Sequence, residues 1–392
     1  MGFLTGRVSF VRFRVTGRGP RHFGPEHLER LAAHAIGKQR VVTADGVEVG
    51  WTAGDHILDT RFDLAKNIIS DALQFALRVD SQKIPPDLLR AYTQVELEAL
   101  AADNPSGVPS ARQKREARLA ARERLENEAK DGRFVQRKSY PILWDSLAGE
   151  LLVGTTGKTV IERLYTLFKQ TFGHGFEMLG AGQRAFLLAE PREQTRAVDD
   201  ARPADFVPGF SSDELAWLVD ENSRDFLGNE FLLWLWYVLE EESDTIALTD
   251  GSEVSVMLAR NLVLECPRGQ TGKEAISSDS PSRLPEARRA IQAGKLPRKA
   301  GLTLARHDRQ YELTLHAETL AVTGGKLPNT EEEDPRARLE ERITLLRHLV
   351  ETLDLLYEAF GQRRTSSAWA KELTRIRKWL QENERERVAA LG

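Results

Sequence analysis

Seven apolar residues toward the C-terminal end, Leu339, Ile343, Leu346, Val350, Leu353, Tyr357 and Phe360, are spaced four and three apart in strict alternation. That is a heptad seam, and a helix carrying it must lay one narrow stripe against another helix along its length. Two partners are open. A second copy would make the seam a dimer interface. The chain's own last helix offers Trp369, Leu373, Ile376, Trp379 and Leu380 at helical spacing, and short heptads more often serve a domain core.

Upstream the hydrophobic period alternates between 2 and 3.6, which is the mark of a mixed fold. Strand signals fall at 7–15, 47–51, 73–79, 142–145 and 150–153. A hairpin over 245–265 turns at Asp250-Gly251, and another joins 302–304 to 310–320. Helical spacing covers 25–36, 86–102, 110–130, 159–172, 212–242 and the basic stretch 284–293. Pro85-Pro86 opens the second of these helices and Asn104-Pro105-Ser106-Gly107 breaks it, so two charged helices with little apolar surface form a projecting hairpin. Residues 183–212 and 269–282 read as loops.

The expected class is α+β, with mixed sheets, the projecting hairpin and C-terminal helices. The expected divisions are an N-terminal α/β core (1–85 with 134–182), the hairpin (86–133), an inserted region with a Trp-rich helix (183–265), a basic segment (266–330) and the C-terminal helices (331–392). A length of 392 residues suits several such units. The longest apolar run, Phe226 to Leu239, is too short to cross a bilayer and contains Glu230. Residues 1–20 lack a signal-peptide core, and the single Cys266 excludes a disulfide framework or a cysteine metal cluster. The expected location is cytoplasmic.

Catalytic signals are weak. Gly154-Thr155-Thr156-Gly157-Lys158-Thr159 has two residues between its glycines, where a phosphate-wrapping loop needs four. No paired carboxylates of nuclease type fall on a strand, Glu128-Ala129-Lys130 lies on a charged helix, and no G-x-S-x-G elbow occurs. The eight histidines make no convincing ligand spacing. The expectation is a non-enzymatic protein without metal or cofactor. Phe226 to Tyr237 is apolar on all sides. Such a segment is a core helix or a protein-docking surface, and its acidic neighbours disfavour nucleic acid.

Charge distribution is more telling. The chain carries a net charge of −4, yet residues 268–309 sum to +6 and residues 110–138 to +5. Segregation of this kind suits one anion-facing surface on an otherwise acidic protein. The candidate DNA-binding residues are Arg283, Arg288, Arg289, Lys295, Arg298, Lys299 and Arg306. Arg112, Lys114, Arg115, Arg118 and Arg122 form a secondary basic surface. Few amide or aromatic side chains lie among them to read base edges, so backbone contact without sequence preference is expected.

The order of elements resembles the RdgC family of recombination-associated DNA-binding proteins. The matching pieces are the strand at 7–15, Val49-Gly50-Trp51, Ala76-Leu77-Arg78 with Lys83-Ile84-Pro85-Pro86, and the charged hairpin. Ile142-Leu143-Trp144-Asp145, the strand and helix at 151–172, and Ile291-Gln292-Ala293-Gly294-Lys295 before a strand complete the set. Residues 195–265 and the long C-terminal helices depart from the family pattern. The resemblance implies a homodimer closing a ring around double-stranded DNA, associated with the nucleoid and restraining filament formation by a RecA-type recombinase. It places Lys295, Arg298 and Lys299 on the inner wall. A protein-interaction scaffold docking a partner through the Trp-rich helix 226–239 is the rival expectation.

Overall fold

The computed structural model describes residues 2–38, 41–42, 46–102, 107–207, 215–218, 222–267, 269, 271–330 and 332–381. Arg268, Asn104-Pro105-Ser106 and Ser212, where a helix was expected to begin, lie outside the described residues.

The first strand, β1 (Val8–Val15), belongs to two ladders. Val8 and Phe10 pair with β14 (Val322–Lys326), while Val11 to Arg14 pair with β7 (Glu150–Val153) and Phe13 to Val15 with β8 (Phe176–Met178). Beyond β7 the sheet continues through β6 (Val135–Asp145), β5 (Ala72–Gln82), β3 (Glu48–Thr52) and β2 (Val41–Val42). Beyond β14 it runs through β13 (Arg309–His316), β12 (Leu296–Arg306), β10 (Glu253–Glu265) and β11 (Glu274–Ser278). Two short strands, β4 (Ile68–Ile69) and β9 (Thr245–Ala247), pair with β5 and β10. Every one of these ladders is antiparallel, so the expected mixed sheets are corrected to one large antiparallel sheet.

A strand in the middle of such a sheet must be apolar on both faces. Val11, Phe13 and Val15 meet α1 (Pro25–Ala33) and α5 (Lys158–Phe172) in a core containing Trp51, Phe75, Trp144 and Phe168. Val8 and Phe10 belong to a second core, with α6 (Ala181–Ala189), α8 (Phe226–Glu241), α10 (Pro335–Thr365) and α11 (Trp369–Gln381). The strand at 7–15 therefore does not alternate polar with apolar as a half-exposed strand would. Arg12 itself is buried.

The Trp-rich helix α8 is the spine of the second core. All thirteen residues from Phe226 to Val238 are buried. Trp234 donates to Glu372 and Trp236 to Glu240, at 2.8 and 2.6 Å. Glu230, whose pKa burial pushes upward, is held by Arg364 at 2.5 Å. This helix is not an appendage, and its tryptophans have no face to offer a partner. The docking reading is thereby corrected. Of the seam's two possible partners, a second copy or the chain's own helices, the structure supplies the second. Ile343, Leu346, Leu353, Tyr357 and Phe360 are buried within the chain's own core, with Leu339 and Val350 half-buried against it. Phe360 packs on Phe231, Trp234 and Trp369.

Two segments read as loops carry structure. Residues 183–212 include part of α6 and α7 (Thr195–Asp199), and 269–282 include β11. The predicted basic helix is α9 (Pro285–Gln292), and a single turn, α2 (Leu64–Asn67), precedes β4. The two charged helices, α3 (Pro86–Ala102) and α4 (Ala111–Ala129), pack on each other, and no other element makes a comparable contact with either. They form a helical hairpin, the arm.

At Gly228, α8 comes close to the backbone that follows β13. A Cβ there would lie 1.9 Å from the carbonyl oxygen of Ala317. Gly228→Ala is therefore expected to lower stability by about 1–3 kcal/mol, read as a reduced urea midpoint. Gly361 lies within α10 with nothing near its missing Cβ. Gly361→Ala should raise the midpoint, by up to about 1 kcal/mol.

Candidate nucleic-acid interface

The basic segment 283–309 is placed by α9, the turn at Gly294 and β12. Its charges do not gather into a surface. Lys295 is 6% exposed and paired with Glu274. Arg298 lies between Glu265 and Glu318 at 2.7 and 2.5 Å, with its guanidinium 4.3 Å from the Trp217 ring centre. Arg306 is 3% exposed and holds Asp250 at 2.5 Å and Glu351 at 3.0 Å. Arg288 stacks on Trp379, donates to its carbonyl and approaches Glu240. These four side chains tie β12 and α9 to the rest of the core. Arg283 and Arg289 are exposed and Lys299 is half-buried, with no ion pair for any of the three among the described residues. The expectation of a single anion-facing wall from 283 to 309 is corrected: the positive charge is mostly spent inside the protein.

The arm behaves differently. Ser110 caps α4 by accepting from the Gln113 amide, while the Gln113 side chain accepts from the Ser110 amide. The apolar stripe is thin, Ala117, Ala121, Leu125 and Ala129, because helix spacing of four lets small residues seat α3 closely. Tyr92 of α3 closes the base, donating to Glu128 at 2.9 Å beneath the Arg124 guanidinium. Arg112, Lys114, Arg115 and Arg118 are exposed, and none makes an ion pair among the described residues. Arg122 is also exposed, paired with Glu126 on the same helix. Arg115, Arg118 and Arg122 are three and four apart and share a face. Of the 19 residues of α4, which reach about 28 Å, this row occupies about 10 Å toward the tip.

A third feature had no local sequence signal. Between the sheet and α10 lies a cleft of about 540 Å³, walled by Leu143, Leu152, Leu188, Ile343, Leu346 and Val350. Its floor is a four-charge network. Arg12 of β1 donates to Glu150 of β7 at 2.9 Å and to Asp354 of α10 at 2.6 Å, and Arg184 of α6 donates to Asp354 at 2.8 Å. Arg184 also approaches Glu150 at 3.4 Å. Burial opposes the charge on Asp354, but the two guanidiniums hold its pKa below the usual carboxylate value. Arg347 and Asp145 pair at the rim, at 2.6 Å. These guanidiniums are already taken by carboxylates, so the floor is built to join elements. Positions 12, 150, 184 and 354 are too far apart in sequence for spacing to have linked them.

Where β12 turns into β13, the His348 ring meets the Tyr311 hydroxyl at 2.8 Å and His307 at 3.4 Å. Burial, then Arg309 and Arg306, lowers the His348 pKa to about 4, and burial raises Tyr311 to about 12. Among the described residues no three His, Cys, Asp or Glu side chains converge as metal ligands, and no helix is long and apolar enough to cross a membrane.

Compared with known proteins, the chain matches no protein-family model and no curated protein.

Two outcomes follow from the buried groups. Asp354→Asn leaves Arg12 and Arg184 short of a charge and is expected to cost about 3–5 kcal/mol, whereas Glu351→Gln, at a carboxylate 58% exposed, should cost about 1 kcal/mol or less. Chemical denaturation of both variants checks the contrast. His348 is neutral in the folded chain and takes up a proton more readily when unfolded. Its contribution is complete above about pH 6.5 and is lost as pH falls toward its folded value of about 4. His348→Gln should therefore flatten the fall in urea midpoint between pH 7 and pH 4.

Proposed function

We propose that this protein is a non-enzymatic binder of duplex DNA, holding the phosphate backbone without reading base sequence, and that it does so as a homodimer closing around the duplex. The observation that carries this reading is the arm. Four exposed cationic side chains without ion pairs among the described residues, Arg112, Lys114, Arg115 and Arg118, stand at the far end of a helical hairpin in a chain whose net charge is −4. An isolated cation on a surface is ordinary. A row of them held clear of an acidic body gives phosphates a place to displace condensed counterions while the rest of the protein repels the duplex. Arg283, Arg289 and Lys299, without ion pairs among the described residues, provide further positive charge on the body.

The order of elements that resembles RdgC supports the same reading. In this proposal the arm replaces Lys295, Arg298 and Arg306 as the principal phosphate contact, because those three are engaged internally. Occupying DNA in this way restrains assembly of a RecA-type filament by exclusion, which requires no catalytic group, and it places the protein at the nucleoid.

Fluorescence anisotropy on a short duplex across a salt series tests the reading. Replacing Arg112, Lys114, Arg115 and Arg118 together by Gln should weaken binding and reduce the slope of log K against log salt by about 0.9 for each lost phosphate contact. Replacing Arg283, Arg289 and Lys299 should have the smaller effect, and Lys295→Gln should lower stability first. An arm variant with the parent's affinity and slope would remove the arm from the interface.

A further inference from the structure

The two ends of the sheet are finished differently. One end tapers to β2, two residues long. The other end is β11, five residues from Glu274 to Ser278, paired with β10 from Arg260↔Ser278 to Leu264↔Glu274 without a register shift. Among the described residues no strand pairs with the outer side of β11. An antiparallel ladder engages the backbone groups of alternate residues, so the others point outward from an edge strand. Folded proteins usually blunt such an edge with a proline, a bulge or a row of charge. Glu-Ala-Ile-Ser-Ser contains no proline, its ladder with β10 has no bulge, and its one charge, Glu274, is drawn to Lys295.

We infer that β11 pairs antiparallel with β11 of a second copy, across a two-fold axis at Ile276. The partner is specified by the sequence of the edge and its flanks. Reversing the strand about Ile276 sets Ala275 opposite Ser277 and Glu274 opposite Ser278. One step further, Lys273 meets Asp279 of the partner subunit, and the symmetry repeats that contact. Both flanking residues are exposed and neither has an ion pair among the described residues. An isologous contact requires this self-complementarity, since each residue must suit its symmetry mate. Small side chains at Ala275, Ser277 and Ser278 let the two backbones approach to ladder distance, and the pairs of opposite charge fix the register. The sheet then runs unbroken from one subunit into the next. The contact is short, and in a closed dimer it supplies one of the joints. The inference rests on the homodimer proposed above and names the surface that makes it.

Charge exchange at the flanks tests it, with self-association measured by sedimentation equilibrium on the full chain and folding checked by thermal melting. Lys273→Asp alone places like charges together twice and should raise the dimer dissociation constant by about tenfold or more. Asp279→Lys alone should do the same, and the double variant Lys273→Asp with Asp279→Lys should return to the parent value. If the parent dimerises and both single variants dimerise equally well, the edge is not the joint and the homodimer stands on some other surface. If the parent remains a monomer at high concentration, the pairing and the homodimer fall together, while DNA contact through the arm is judged by the anisotropy series.

Discussion

The fold depends on one guanidinium. Arg12 sits on β1, which joins both halves of the sheet, and from there it reaches Glu150 on the N-terminal side of the sheet and Asp354 on the long C-terminal helix. Arg184 closes the circuit from α6. Burying four ionised groups is unfavourable unless each finds its partners, and the same burial makes any remaining attraction strong. The network therefore favours one arrangement of β1, β7, α6 and α10 over near misses that would strand a charge. Hydrophobic contact alone is indifferent to small slips. A bidentate guanidinium between two carboxylates is not.

Where the chain's own chemistry is local, the sequence discloses it. Glu150–Val153 is a strand with the bounds its pattern predicts, Asp250-Gly251 turns a hairpin, and Ser110 with Gln113 starts the arm's second helix. The arm's isolation is legible too, because a helix with only alanines and one leucine on its stripe has little to bury against a body. What is not legible is pairing across distance. Counted along the chain, residues 268–309 are strongly basic. In space Arg306 meets Asp250 and Glu351, and Arg298 meets Glu318. A sum over a window registers charge but not its partner, so four cations that hold the core together looked like a surface.

The same reasoning explains the seam and the Trp-rich helix. A heptad states that a helix has a partner and leaves the partner's identity open. Here the partners are α6, α8 and α11 of the same chain. An all-round apolar helix states burial, and its position in the middle of the chain invited the idea of an insertion. In fact α8 lies across β12, against α10 and α11, and contributes thirteen buried residues to the core over the C-terminal half of the sheet. Residues 183–212 misled for the opposite reason. Their helices are short and rich in alanine, so amphipathic periodicity has too few turns to register.

The arm's thin seam has a kinetic meaning. None of the residues of α3 is buried, and α4 contributes three alanines and a leucine, so this hairpin draws little of its order from the globular body. Helices held so lightly open and close many times for each opening of the sheet beneath them. The arm's order thus depends on its own two helices, while its root lies on the long β5–β6 ladder. Contact with a rigid polyanion would then freeze a moving part. Under the proposed binding, ordering the arm would cost entropy on arrival.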